Sequence, residues 1–325
     1  MQMISKYRSF IMGMAILWVA WFHTDMMTGN ACVDFFRQIG YGGVDIFFFL
    51  SGVGAYFSLK KNTDVASFMK RRAIRILPSY YPFIVAWIIM MKLTGEMYGT
   101  EIIGNLTMLG WWHGGRSQFN WYVSAIWLFY LLAPVIVGAI ENARNKLFTT
   151  VAIMTAALVA SVAFFHTLLL TAFSRVPIFV LGIFTGYLLY QKLYENNLIF
   201  VLLNVLMLVG FAVLFFCFAY MSGSMWNYGL WWYPFIMITP GLVVDLGLLA
   251  NLLEKNGLLS YAKKGVECLG DASFEIYLIH IGMFEYAKAH LQLDGLWWGV
   301  LFVAALIIGV LYSRLINCIK RRRRE

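Results

Sequence analysis

Charge is scarce in this chain: only 13% of its 325 residues are Asp, Glu, Lys or Arg, against 61% hydrophobic, and the mean hydropathy is +0.73. No soluble domain of this size has interior enough to hide so much apolar surface. Cysteine is also sparse. Cys32, Cys217, Cys268 and Cys318 lie far apart with no CxxC spacing, which argues against a disulfide framework and a thiolate metal centre. There is no Walker loop, no GxGxxG opening a helix and no internal repeat of useful strength, so an ATP-driven pump or a flavoprotein is disfavoured. The apolar runs lack the period-two alternation of barrel strands. The first run is long enough to span and has no small-residue cleavage site, so no cleavable signal peptide is expected.

What is present is a series of long apolar runs. We expect ten spans, over residues 8–27, 40–59, 77–95, 119–140, 147–165, 168–190, 198–220, 229–252, 272–288 and 296–316. Each approaches the roughly 20 residues that a helix needs to cross the hydrocarbon core. The expected fold is an all-α integral membrane protein, a bundle of about ten transmembrane helices forming a single domain over 1–325. An even number of spans puts both termini on one side. That side collects Lys6, Arg8, Lys60, Lys61, Lys70, Arg71, Arg72, Arg75, Arg144, Lys146, Lys192, Lys255, Lys263, Lys264, Arg314, Lys320 and Arg321 to Arg324, which is 20 of the 25 basic residues. Only Arg37, Lys92, Arg116, Arg175 and Lys288 fall opposite. The positive-inside rule then makes both termini cytoplasmic. The tail "KRRRRE" reads as a cytoplasmic anchor beside the bilayer, and no nucleic-acid partner is expected.

Three groups of residues bear chemistry. The first is His23 in "AILWVAWFHTDMM", where an ionisable group stands in an apolar run. It lies about 22 Å beyond Arg8 at the helical rise, in the outer half of the expected span. A neutral imidazole there suits a general base, and it suits equally a residue ending the helix at the interface. Asp25, two residues on, points away in a regular helix. The second is "GYGGVDIFFFLSGVGAYFSL", in which Asp45 opens the second span at a depth similar to His23. Asp45 could hydrogen-bond His23, or it could complement the helix dipole. The third is "FMKRRAIRILPSYYPF", with Arg71, Arg72 and Arg75 at the start of the third span and Pro78 and Pro82 bending it. Guanidinium forks suit phosphate oxygens, and basic clusters also serve as membrane anchors. Together, the three fit a donor with a phosphorylated head reached from inside and a base placed toward the outside.

These residues carry a resemblance. The chain resembles the acyltransferase-3 family of integral membrane acyltransferases over nearly its full length. "GGVDIFFFLSG" is close to that family's second-span signature, and "RRAIRILPSYYP" matches its basic third-span motif, with Arg72 and Arg75 at the R-x-x-R positions. "WYVSAIWLFYLLAP", "RVPIFVLG" and "SFEIYLIH" follow in order, and His23 aligns with the family's first-span histidine. Two departures concern the donor side. Met12 stands where many members have arginine, with Arg8 one turn earlier, and Ile126 and Trp127 replace a glutamate. No hydrolase-like domain of the kind some members append is expected.

The resemblance implies O-acylation, commonly O-acetylation, of a hydroxyl on an extracytoplasmic glycan, with cytoplasmic acyl-CoA as donor substrate. No permanently bound cofactor and no metal are expected. It implies a catalytic role for His23 and donor contacts from Arg72 and Arg75; the residues themselves add Asp45 as the expected partner of His23, and Arg71 and Arg8 as further donor contacts. Acceptor contacts would come from Arg175, Trp112, His113 and His280; Trp112 also fits an interfacial aromatic belt, and His280 a helix-to-helix hydrogen bond. The expected location is the cell membrane, of the bacterial cytoplasmic type. A transporter or flippase of a lipid-linked saccharide is the alternative, using the same basic cluster without covalent chemistry.

Overall fold

The structure is a computed structural model that describes residues 2–95, 99–113, 121–193 and 197–322. Arg116, Arg323 and Arg324 lie outside the described residues. The described residues contain helices and no strands. In chain order the helices are α1 (Gln2–Lys6), α2 (Arg8–Phe22), α3 (Ala31–Gln38), α4 (Gly43–Lys61), α5 (Val65–Leu93), α6 (Gly99–Thr107), α7 (Trp121–Asn142) and α8 (Lys146–Ser161). They continue as α9 (Leu170–Phe173), α10 (Val176–Tyr190), α11 (Asn197–Tyr220), α12 (Phe235–Glu254), α13 (Leu259–Asp271), α14 (Ser273–His290) and α15 (Gly295–Arg322).

Among the described residues eight segments are long and apolar enough to cross a membrane: Ala31–Lys61, Val65–Leu93, Trp121–Asn142, Lys146–Phe164, Leu170–Tyr190, Asn197–Tyr220, Phe235–Glu254 and Gly295–Arg322. The other two expected spans fall on α2, a shorter apolar helix of 15 residues, and on α14, which carries Glu275, Glu285 and Lys288. Exposed Leu198, Val201, Leu202, Val205, Leu208 and Val209 coat α11, an apolar face with the composition of a lipid-facing surface. This is an integral membrane protein.

Local chemistry moves several boundaries from those the hydropathy suggests. The basic cluster lies on α5 itself, because Asp64 accepts a hydrogen bond from the Ser67 amide at 2.7 Å and starts the helix well before the apolar run. The Ser67 bonds also hold the Asp64 carboxyl below its usual range. The helix then continues through Pro78 and Pro82. The expected span over 168–190 breaks at Ser174, and Arg175 becomes the residue that precedes α10, followed by Pro177 in its first turn. Between α2 and α4 lies the short helix α3, begun by Asn30, whose side chain accepts from the Cys32 and Val33 amides.

The chain divides into two compact units. One comprises Met1–Ser5, Asp45–Ala73 and Gly99–Asp245; the other comprises Lys6–Val44, Ile74–Tyr98 and Leu246–Glu325. In the first, the rings of Phe48, Phe129 and Phe179 pack at a tilt in the core, with centroids 4.6 and 5.2 Å apart along the row. Here α4 and α10 touch backbone to backbone: a Cβ on Gly182 would run into the Phe49 carbonyl, and one on Gly52 into the Phe179 carbonyl. Small residues permit such an approach between helices in an apolar phase.

In the second unit α13, an amphipathic helix in what the sequence suggested was a loop, packs along α2. Gly13 faces the Val266 carbonyl and Gly270 the Ser9 carbonyl. A polar cluster supports that contact, with Lys263 bonded to Glu267 at 2.8 Å and Ser9 donating to Asp271 at 2.5 Å. The Glu267 carboxylate holds the Lys263 ammonium above its usual range. α14 meets α15 where Gly309 lies against Ile276.

The α4–α10 contact makes a direct prediction. Gly182→Val will lower the thermal midpoint of the detergent-purified protein, by an amount on the order of the 1–3 kcal/mol typical of overpacking. Gly138→Val, where a Cβ meets nothing within 4 Å, will lower it far less; heating followed by size-exclusion chromatography reads both.

Candidate functional site

His23 sits where α2 stops. The apolar sequence would carry the helix further, but its last carbonyls are claimed by side chains. The Arg37 guanidinium donates to the Thr24 carbonyl at 2.5 Å and to the Phe22 carbonyl at 3.4 Å, and the Thr24 hydroxyl donates to the Trp21 carbonyl at 2.8 Å. A cation on these terminal carbonyls also complements the helix dipole. Arg37 is buried at 9% exposure, carried on α3, whose Asp34 accepts from Thr28 and from the Gly29 amide at 2.8–3.1 Å. Trp18 stacks on Phe36 with centroids 4.9 Å apart and donates to its carbonyl, which fixes α3 against α2. Sequence reading counted Arg37 only as an outer cation. The signal it missed was the acid and base three apart on a short amphipathic helix between two spans.

The position of His23 fixes its tautomer. Its Nδ1 is 2.8 Å from the Val19 carbonyl oxygen. A carbonyl only accepts, so Nδ1 carries the proton and the lone pair is on Nε2. The residue is half-buried. Asp25 is beyond the end of the helix, and it pairs with Lys288 of α14 at 3.2 Å. Two rings meet that of His23: Phe22, its chain neighbour, with centroids 4.9 Å apart at 76°, and His280 of α14, with centroids 5.2 Å apart at 63°. His280 is wholly buried, and its own Nδ1 lies 2.8 Å from the Ile276 carbonyl. Five residues before it on α14, Glu275 accepts from the Ser79 hydroxyl of α5 at 2.5 Å, while Tyr312 donates to the Ser79 carbonyl.

Asp45 and Arg175 belong to the other unit, and there they meet each other. The Arg175 Nε is 3.4 Å from Asp45 Oδ1, and both side chains are almost fully buried. The guanidinium is flanked by the rings of Trp121 and Trp232, 5.2 and 5.1 Å away, and donates to the Thr171 carbonyl at 2.6 Å. The sequence allows Asp45 either a bond to His23 or a place on the helix dipole, and in the structure its carboxylate engages Arg175. Trp232, which the sequence suggested was an interfacial residue, is buried on that guanidinium. Trp112 is half-buried against Trp111 and Phe173, and His113 is exposed.

The arginines of α5 differ among themselves. Arg72 is buried between the rings of Phe68 and Tyr130, each 4.9 Å away, and donates to the Gly54 carbonyl at 2.8 Å. Arg71 is exposed and donates to Ser58 through two contacts of 3.1 and 3.2 Å. Arg75 is exposed, and Arg8, in the first turn of α2, is half-buried. Among the described residues no group of three or more His, Cys, Asp or Glu side chains is placed to hold a metal ion.

A family profile described as an acyltransferase domain, of the acyltransferase-3 type, matches residues 11–314. The match takes in His23, Asp45, the α5 arginines, Arg175 and His280, while Arg8 precedes it. No curated protein and no solved structure matches the chain.

Removing one member of a buried ion pair strands the other, at a cost of about 3–5 kcal/mol. Asp45→Asn will therefore lower the thermal midpoint of the detergent-purified protein sharply. Asp45→Asn combined with Arg175→Met will recover part of the loss. A double variant as damaged as the sum of the two single variants would show that the pair contributes nothing as a pair.

Proposed function

The chain belongs to the acyltransferase-3 family, and from that premise we propose that this membrane acyltransferase moves an acyl group, acetyl in the first instance, from cytoplasmic acyl-CoA to a hydroxyl of an extracytoplasmic glycan. The observation that carries the catalytic part is the Nδ1 bond of His23 to Val19, which reserves Nε2 as a base. In this reaction Nε2 takes the proton of the acceptor hydroxyl as its oxygen attacks the thioester carbonyl. The carbon–sulfur bond breaks, CoA leaves as the thiolate, and the proton passes to it, so His23 ends neutral. A base of this kind contributes about 10²–10⁴-fold to a rate.

The donor's phosphates would be met by Arg71 and Arg75, whose side chains are exposed, with Arg8 as a further cation. Arg72, already bonded to the Gly54 carbonyl and flanked by rings, would orient that end of α5 as well as add charge. On the acceptor side, Trp112 and His113 offer an aromatic face and an exposed imidazole of the kind that binds sugars. Arg175 would act there by holding the aromatic pair Trp121 and Trp232. Asp45 serves the reaction through Arg175. The cell membrane, with both termini in the cytoplasm, is the location that the basic-residue count supports.

Membrane vesicles supplied with labelled acetyl-CoA test this reading. The parent chain will place label on glycan, and His23→Ala will lower the transfer rate by at least about 100-fold. Substituting Arg71 and Arg75 together by Gln will raise the KM for acetyl-CoA more than it lowers kcat. A glycan that gains no mass when the protein is expressed would favour transport of a saccharide over acyl transfer.

A further inference from the structure

Two imidazoles meet in the second unit, and they are built alike. Each donates from Nδ1 to the carbonyl four residues earlier on its own helix, His23 to Val19 and His280 to Ile276, both at 2.8 Å. Each therefore keeps its lone pair on Nε2. They differ in surroundings. His23 is half-buried at the end of α2, whereas His280 has no exposed surface and lies in the middle of α14 between Tyr277 and Phe284. The Nε2 of His280 is buried with no hydrogen-bond partner. A buried acceptor left unpaired is costly, so such an atom calls for an explanation.

The same imidazole is in ring contact with His23. At 5.2 Å and 63° the imidazoles touch edge to face, the arrangement in which positive ring hydrogens meet electron density on the neighbour. His23 becomes positive when it takes a proton, and that charge needs compensation in an apolar setting. The nearby charges do not provide it. Lys288 repels, and its partner Asp25 is committed to it. Arg37 is a second cation, spent on backbone carbonyls, and Asp34 is bonded to Thr28 and Gly29. Glu275 is taken by Ser79, and Tyr41 and Tyr277 bring neutral rings. Two electron-rich rings touch His23, Phe22 beside it in the chain at 4.9 Å and the neutral imidazole of His280 at 5.2 Å, and of these only His280 carries a nitrogen lone pair, held by the bond to its own helix.

We propose that His280 is the positioning residue of His23: it braces the ring of His23 and stabilises the positive charge which that ring carries after accepting a proton. The inference rests on the reading of His23 as the base, and it gives His280 a role through His23 in place of a contact with the acceptor. No bond to His280 forms or breaks. The proton moves from acceptor hydroxyl to His23 and on to the thiolate.

Diethyl pyrocarbonate, which attacks a neutral imidazole, tests the pairing without any substrate. The full chain in membrane vesicles is exposed to the reagent across a pH series, and modification of the His23 peptide is followed by mass spectrometry, with exposed His113 as the internal reference. Loss of the His280 ring makes protonated His23 less stable, so His23 turns reactive at lower pH. His280→Leu will move the half-reaction pH of His23 down by roughly one unit, the size expected for losing one interaction with a charged group. His280→Gln, which carries an amide to the place of Nε2, will restore most of it, and His280→Asn, which reaches only the place of Nδ1, will not. An unchanged midpoint in His280→Leu overturns the proposal, as do equal midpoints for Gln and Asn. Should His280→Leu fail to fold, the Gln and Asn pair decides alone. The outcome is separable from the catalytic reading. A shifted midpoint together with full acyl transfer by His23→Ala would remove His23 from catalysis and leave the pairing standing.

Discussion

A backbone carbonyl at the end of a buried helix must find a donor within the protein, because an apolar phase offers none. At the end of α2 three carbonyls of the last turn and one just beyond it have been given a side-chain donor. Val19 receives His23, Trp21 receives Thr24, and Phe22 and Thr24 receive Arg37. This capping stops the helix at Phe22, turns the chain into the connection toward α3, and locks His23 in one tautomer. The catalytic proposal, the placement of Asp25 on Lys288 and the contact with His280 all follow from that termination.

The same constraint explains how so few charges are distributed. Each buried charge inside the bundle is tied to a partner or to a ring. Arg175 lies on Asp45 between two tryptophans, and Arg72 lies between Phe68 and Tyr130 with a backbone carbonyl beneath it. Glu141 receives both Tyr56 and Lys60. Guanidinium groups are suited to this use, since a planar, weakly hydrated cation can stack on aromatics while bonding at its edge. Pairs of this kind add little net stability over a well-packed apolar core, but they are intolerant of losing one member. They fix which helices face each other more than they strengthen the contact.

Much of this was legible in the residues. The apolar runs and the basic-residue count gave the helical membrane class, and the motifs gave the family, with His23 and the α5 arginines inside the match. Boundaries were less legible. The break before Arg175 and the early start of α5 are set by single side chains, Pro177 in one case and Asp64 in the other, which a hydropathy window averages away. α13 was missed for a similar reason. It is too polar to read as a span, and its role as a partner of α2 shows only in where Gly13 and Gly270 come against backbone.

By itself the sequence determined the phase this protein lives in, the family and the residue types able to do the chemistry, because composition and local motif are properties of neighbouring residues. Only the tertiary structure decided the pairings. It gave Asp45 to Arg175, Asp25 to Lys288 and His280 to His23, contacts that join residues 130, 263 and 257 positions apart in the chain. Such partners are chosen by which helix faces pack and by the requirement that each buried polar group be satisfied, and no local pattern in a single sequence encodes that choice.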